Sequence, residues 1–125
     1  MLILNIDDDI DDREMFCAAI KAVDSMISCV QMDSGHKALE FIAKAEILPD
    51  YIFIDINMPK MDGFECVEKI RSIPGTKKIS IVMYSTAFRP DDHANFARMG
   101  IKYLSKSSRL PDIVESIKKI IYNGG

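Results

Sequence analysis

Residues Asn5 to Asp12 read NIDDDIDD, and five of the chain's 19 acidic residues fall within those last six positions, directly after the apolar MLIL run. Like charges this close repel by about 1 kcal/mol per pair even in water, and by more where solvent is excluded. A divalent cation offsets that repulsion, and an all-oxygen donor set suits Mg²⁺ or Mn²⁺, with waters completing an octahedron. Further along stand Asp55, the hydroxyl pair Ser85 and Thr86, and Lys106. A lysine holds an anion as a point charge and a hydroxyl donates to it. Set beside a carboxylate and a metal, they make the layout for phosphoryl transfer to that carboxylate, in which positioning and charge neutralisation supply the catalysis. The two histidines, His36 and His93, show no catalytic pairing and are read as surface residues, and no Cys/His cluster competes for zinc.

Whether these residues meet depends on the elements between them. LILNI, SCVQM, YIFIDI, SIVMY and IKYLS are short and rich in apolar or β-branched residues, which reads as five strands. Between and after them, residues 11–23, 35–45, 63–72, 90–99 and 111–122 carry helical spacing, and the last two stretches open on a proline, which suits a first helical turn. The final helix places Ile113, Ile117, Ile120 and Ile121 on one face. Strict strand–helix alternation predicts a parallel sheet with helices on both faces. In such open sheets ligands bind beyond the carboxyl ends of the strands. Asp7, Asp8 and Asp9 leave the first strand, Asp55, Ile56 and Asn57 the third, Ser85 and Thr86 the fourth, and Ser105 and Lys106 the fifth. All should converge on one edge. Asp55, at the end of the most apolar strand, is the candidate nucleophile; Asp7 and Asp8 are assigned to the metal.

At 125 residues and 48% apolar composition, the chain is expected to form one domain, 1–125, with no output module after the fifth helix. No apolar run approaches the roughly 20 residues of a membrane span, and the N-terminus lacks a signal-peptide layout. A net charge of −3 supplies no basic footprint for binding nucleic acid directly. Cys17, Cys29 and Cys66 form an odd, scattered set, read as reduced, mostly packed thiols of a cytoplasmic protein, and the eight methionines as core filler.

Taken in order, the acidic pair Asp7–Asp8, DINMPKMDG from Asp55 to Gly63, YSTA from Tyr84 to Ala87 and YLSK from Tyr103 to Lys106 resemble the receiver domains of two-component response regulators, from Leu2 to Asn123. The resemblance implies a flavodoxin-like fold with strand order 2-1-3-4-5. It makes Asp55 the phosphoacceptor, and Asp8, Asp55 and the backbone carbonyl of Asn57 the Mg²⁺ ligands, with Asp7 binding mainly through water. Ser85 stands at the switching hydroxyl, Tyr103 at the aromatic ring that turns inward on activation, and Lys106 at the lysine that pairs with the phosphoryl group. The implied partners are a histidine kinase or histidine phosphotransfer protein and a downstream protein, with the chain monomeric or dimerising on phosphorylation.

Several residues depart from the family pattern or have plainer roles. Ser107 follows Lys106 where the family usually has a cis-proline; a non-proline cis bond costs about 3 to 4 kcal/mol, so a trans bond or a strained exception is expected. Thr86 is bulkier than the alanine or glycine often found beside the hydroxyl, and Ala87 offers nothing to orient water. Asp9, Asp11 and Asp12 are assigned to the N-terminus of the first helix, and Pro59 and Gly63 to turn formation. Asn5 places an amide inside the first strand, where it needs a partner. Two other functions remain open. A Mg²⁺-dependent phosphatase of the haloacid dehalogenase type would want an aspartate where Asn57 stands, and an unphosphorylated scaffold would not need the full acidic, hydroxyl and lysine set.

Overall fold

The structure is a computed structural model that describes residues 1–123. It alternates strand and helix throughout: β1 (Leu2–Ile6), α1 (Ile10–Val23), β2 (Ser28–Met32), α2 (Gly35–Lys44), β3 (Tyr51–Ile54), α3 (Gly63–Arg71), β4 (Ser80–Ser85), α4 (Pro90–Met99), β5 (Lys102–Ser105) and α5 (Leu110–Tyr122). The strands form one parallel sheet in the order β2-β1-β3-β4-β5, as expected.

The period-2 alternation of the strands sorts the apolar residues onto two faces. Leu4, Ile6, Ile52, Ile54, Ile81 and Met83 face α2, α3 and α4, whose buried residues include Ala38, Ile42, Val67, Ile70 and Phe96. Ile3, Phe53, Val82 and Tyr84 take the opposite face, against Phe16 and Ile20 of α1 and Ile113, Ile117 and Ile120 of α5. With both faces covered, the central strands are buried except at their ends. Asn5 lies among the second set; its Nδ2 donates to the Phe53 carbonyl at 3.2 Å, which supplies the missing partner, while its Oδ1 has none among the described residues.

Helix starts follow local capping. Asp9 precedes α1 and its carboxylate accepts from the amides of Asp11 (2.9 Å) and Asp12 (3.1 Å). Ser34 caps α2 and Asp62 caps α3 in the same way. Asp9 therefore makes the capping bonds, while Asp11 and Asp12 lie in the first turn beside the positive end of α1, as assigned.

The thiol reading needs correction. Cys17 on α1 and Cys29 on β2 form a disulfide, with their Cα atoms 5.7 Å apart, because α1 lies directly beside the edge strand. Only Cys66 is a free thiol; it is buried in the core, and burial pushes its pKa up to about 12. Thiol titration of the unfolded, unreduced protein should find one thiol per chain, and three after reduction. The bridge joins residues 12 apart in sequence, so reduction should lower stability by about 3 kcal/mol on the chain-entropy account. Three titratable thiols before reduction would show that the bridge is absent.

Candidate active site

Every strand of the sheet runs the same way, so the carboxyl ends of β1, β3, β4 and β5 open on one edge. Asp7 and Asp55 directly follow β1 and β3, each anchored by its own amide: Asp7 N donates to the Met32 carbonyl and Asp55 N to the Ile6 carbonyl, both at 3.0 Å. These bonds extend the sheet pairing by one residue past the strand ends and fix where the two side chains emerge. Asp7 is buried, with its Oδ1 accepting from the Asp9 amide (3.0 Å) and its carbonyl accepting from Arg13 (2.8 Å). Asp55 is nearly buried, and its Oδ1 accepts weakly from the Asn57 amide at 3.4 Å.

The loop after Asp55 is held close by Gly63. A Cβ at this position would come within 2.5 Å of the Asp55 carbonyl oxygen and 2.9 Å of the Ile56 Cα, while the Gly63 amide donates to the Ile56 carbonyl at 2.8 Å. Gly63 opens α3 against the backbone of Asp55 and Ile56, so its role is close approach rather than the turn formation expected of it. Within the loop, Lys60 takes φ +68°, a left-handed conformation that disfavours most side chains.

Lys106 follows β5, and its amide donates to the Ser85 carbonyl at 2.8 Å, again one step beyond the ladder. The Lys106–Ser107 peptide is trans, the first of the two expectations. The side chain is 7% exposed and still reaches the carboxylates: Nζ donates to Asp7 Oδ2 at 2.6 Å, Asp12 Oδ2 at 2.8 Å and Asp55 Oδ2 at 3.4 Å. Burial alone would depress the ammonium pKa, but hydrogen bonds to Asp12 and Asp7 and the charge of Asp55 overrule it and hold Lys106 above its ordinary value. For Asp7, burial is the largest influence and moves the carboxyl upward, opposed by the hydrogen bond from Lys106.

Asp7, Asp8 and Asp55 present oxygens that all lie within 4.8 Å of one another. This donor set fits a hard divalent cation in number, charge and atom type. Asp8 is exposed, which leaves room for water on the outer side. Asn57 is exposed beside Asp55.

Ser85 is buried at the end of β4, whereas Thr86 and Ala87 are exposed beyond it. Tyr103 on β5 is 48% exposed, its ring 4.9 Å from His93, 5.0 Å from Phe96 and 5.3 Å from Phe88. His93 is exposed as expected, but it belongs to this aromatic cluster. A cleft of about 390 Å³ between the β3–α3 loop and α4 is lined by Ile56, Asn57, Asp62, Phe88 and Arg89, among others. A larger concavity along α2, of about 520 Å³, contains none of the site residues.

The residue missed from sequence is Asp12. The excess of acidic residues over what a cap and a metal need was visible in the run, but it singled out neither Asp11 nor Asp12.

The family model of the response regulator receiver domain matches residues 3–118. The chain belongs to that family. The receiver is 33% identical over 73 residues to the response regulator Rcp1 of Synechocystis sp., covering 58% of this chain and 50% of that protein. It is 26% identical over 106 residues to the sensor histidine kinase CheAY of Helicobacter pylori, covering 84% of this chain but 13% of the kinase. The receiver thus spans half or less of these curated relatives. Among solved structures, chemotaxis response regulator CheY4 of Vibrio cholerae superposes with a TM-score of 0.81 at 26% identity, over 96% of this chain and 98% of that one. The phosphorylated cyanobacterial phytochrome response regulator RcpA gives 0.85 at 25% identity, over 99% and 95%. Receivers of this kind are signalling domains, and the similar solved structures include the Mn²⁺-bound form of the response regulator Rcp1, with a TM-score of 0.80 at 26% identity over 95% of this chain and 90% of that one. No helix among the described residues is long and apolar enough to cross a membrane.

If the cluster binds metal, Asp8→Asn should have two opposite effects. It should raise the stability of the metal-free receiver by up to about 1 kcal/mol by removing one repelling charge. It should also remove most of the stabilisation by Mg²⁺, which for the wild type at ten times the dissociation constant is about 1.4 kcal/mol. Denaturant melts with Mg²⁺ and with chelator, at matched ionic strength, measure both. Equal stabilisation of mutant and wild type would show that Asp8 is not a ligand.

Proposed function

We propose that this receiver accepts a phosphoryl group on Asp55 from a histidine kinase or histidine phosphotransfer protein, and that the modification changes which downstream protein it binds. The observation that carries this reading is the Lys106 ammonium, bonded to Asp7 and 3.4 Å from the Asp55 carboxylate, at the edge of the Asp7–Asp8–Asp55 oxygen cluster. Nucleophile, cation ligands and anion-binding lysine share one edge of the sheet. Two similar proteins support the reading: RcpA has been solved in a phosphorylated form, and the receiver domain of a plant histidine kinase in complex with Mg²⁺ and BeF₃⁻.

In the transfer, an oxygen of Asp55 attacks phosphorus as the P–N bond to the donor histidine breaks, and the imidazole leaves with the bonding pair and takes up a proton. Asp7, Asp8, Asp55 and the Asn57 carbonyl would hold Mg²⁺ or Mn²⁺, which when bound neutralises charge on the phosphoryl oxygens. Lys106 binds one of those oxygens, and Ser85, with Thr86 beside it, donates to another. Ser85 moving toward the phosphoryl group vacates space into which Tyr103 turns, altering the face formed by α4, β5 and α5. The reading places the chain in the cytoplasm, although the Cys17–Cys29 bridge is a feature more often found in oxidising compartments.

Intact mass after incubation with acetyl phosphate and Mg²⁺ should show one added phosphoryl group on the wild type and none on Asp55→Asn. The adduct should be labile to hydroxylamine, and equal labelling of the mutant would overturn the assignment. Beryllofluoride should shift NMR signals of residues 91–116 more than those of 20–45. Changes confined to the active-site loops would count against the Tyr103 switch.

A further inference from the structure

An ammonium carries three N–H bonds in a tetrahedral fan, and in Lys106 each has a different carboxylate within reach: Asp7 (2.6 Å), Asp12 (2.8 Å) and Asp55 (3.4 Å). The three acceptors are not equivalent. Asp7 belongs to the oxygen cluster suited to a cation, and an oxygen shared with a cation has less charge to offer lysine. Asp55 is the acceptor, and its carboxylate becomes an acyl phosphate. Asp12 is outside the oxygen cluster and is not needed for the cap, which Asp9 supplies. Its carboxylate therefore keeps its full charge for Lys106 at every stage of the reaction.

Lysine's four-carbon stem is flexible, and two anchors are needed to define the direction of its third N–H. Asp12 sits in the first turn of α1 and reaches across to the end of β5, a partner 94 positions away in sequence. At 40% exposure its side chain is reached by water, so the pair adds little to stability and acts mainly on geometry.

We propose that Asp12 is a positioning residue that holds the Lys106 ammonium beside Asp55, so that its remaining N–H meets an oxygen of the incoming phosphoryl group. The proposal rests on the phosphoacceptor reading above.

The test compares wild type, Asp12→Ala, Asp12→Glu, Lys106→Ala and the Asp12→Ala/Lys106→Ala double variant. Two readouts are taken: the initial rate of Asp55 labelling by acetyl phosphate with Mg²⁺, and the solvent exchange of the Lys106 ammonium protons by ¹⁵N NMR without phosphodonor. Asp12→Ala should lower the labelling rate about tenfold, with Asp12→Glu recovering part of it, and should speed ammonium exchange. In the Lys106→Ala background, Asp12→Ala should change the rate less than about twofold, because a residue acting only through Lys106 has nothing left to position. A wild-type rate in Asp12→Ala, or an equal loss in both backgrounds, would overturn the proposal, as would unchanged ammonium exchange. A wild type that takes no label on Asp55 would overturn the phosphoacceptor reading instead, and faster exchange in Asp12→Ala would still support the Asp12–Lys106 tether.

Discussion

One positive charge keeps the carboxyl edge of this sheet in order. Asp7 and Asp55 follow β1 and β3 and Asp12 lies in the first turn of α1, and the Lys106 ammonium from the end of β5 bonds to Asp7 and Asp12 and approaches Asp55. Removing the lysine would leave the buried Asp7 and Asp55 carboxylates without their charge partner, a change that typically destabilises by about 3–5 kcal/mol. The lysine therefore ties the far side of the sheet to its centre. The same cation stands where an incoming anion would need it, so the resting charge balance and the proposed chemistry draw on one residue.

That balance depends on backbone placement, which the sheet provides with little variation. Asp7, Asp55 and Lys106 each donate their amide to the neighbouring strand one residue past the ladder, so all three side chains emerge from positions set by sheet register. The pleat then divides labour between the faces. Apolar residues of alternate parity bury against α1 and α5 on one side and α2, α3 and α4 on the other. On the α3 side Gly63 allows the helix start to press onto the Asp55–Ile56 backbone, and any Cβ there would collide with it. Packing on the helical layer thereby reaches the backbone of Asp55 itself.

The aromatic group of Phe88, His93, Phe96 and Tyr103 links this edge to the outer surface. Ser85 and Tyr103 lie on adjacent paired strands, since Ser85 is in register with Ser105, two residues beyond Tyr103. A shift of the β4 end is therefore felt next to the tyrosine. At 48% exposure, the Tyr103 ring buries less than a residue of the core.

The sequence by itself determined the sheet, the strand order through its resemblance, and the gathering of Asp7, Asp8, Asp55, Ser85 and Lys106, because period and topology are local signals and strand ends of a parallel sheet point one way. It determined Asp9 as a cap for the same reason: capping involves residues two or three apart. Only tertiary structure decided which carboxylates bond to Lys106, since Asp12 meets it across 94 positions and nothing local distinguishes Asp12 from Asp11. The Cys17–Cys29 bridge was equally hidden, because it depends on the distance between a helix and an edge strand. Gly63 was visible as a glycine but not as a contact, because the atoms that exclude a side chain there belong to Asp55 and Ile56, brought against it only when α3 packs on the sheet.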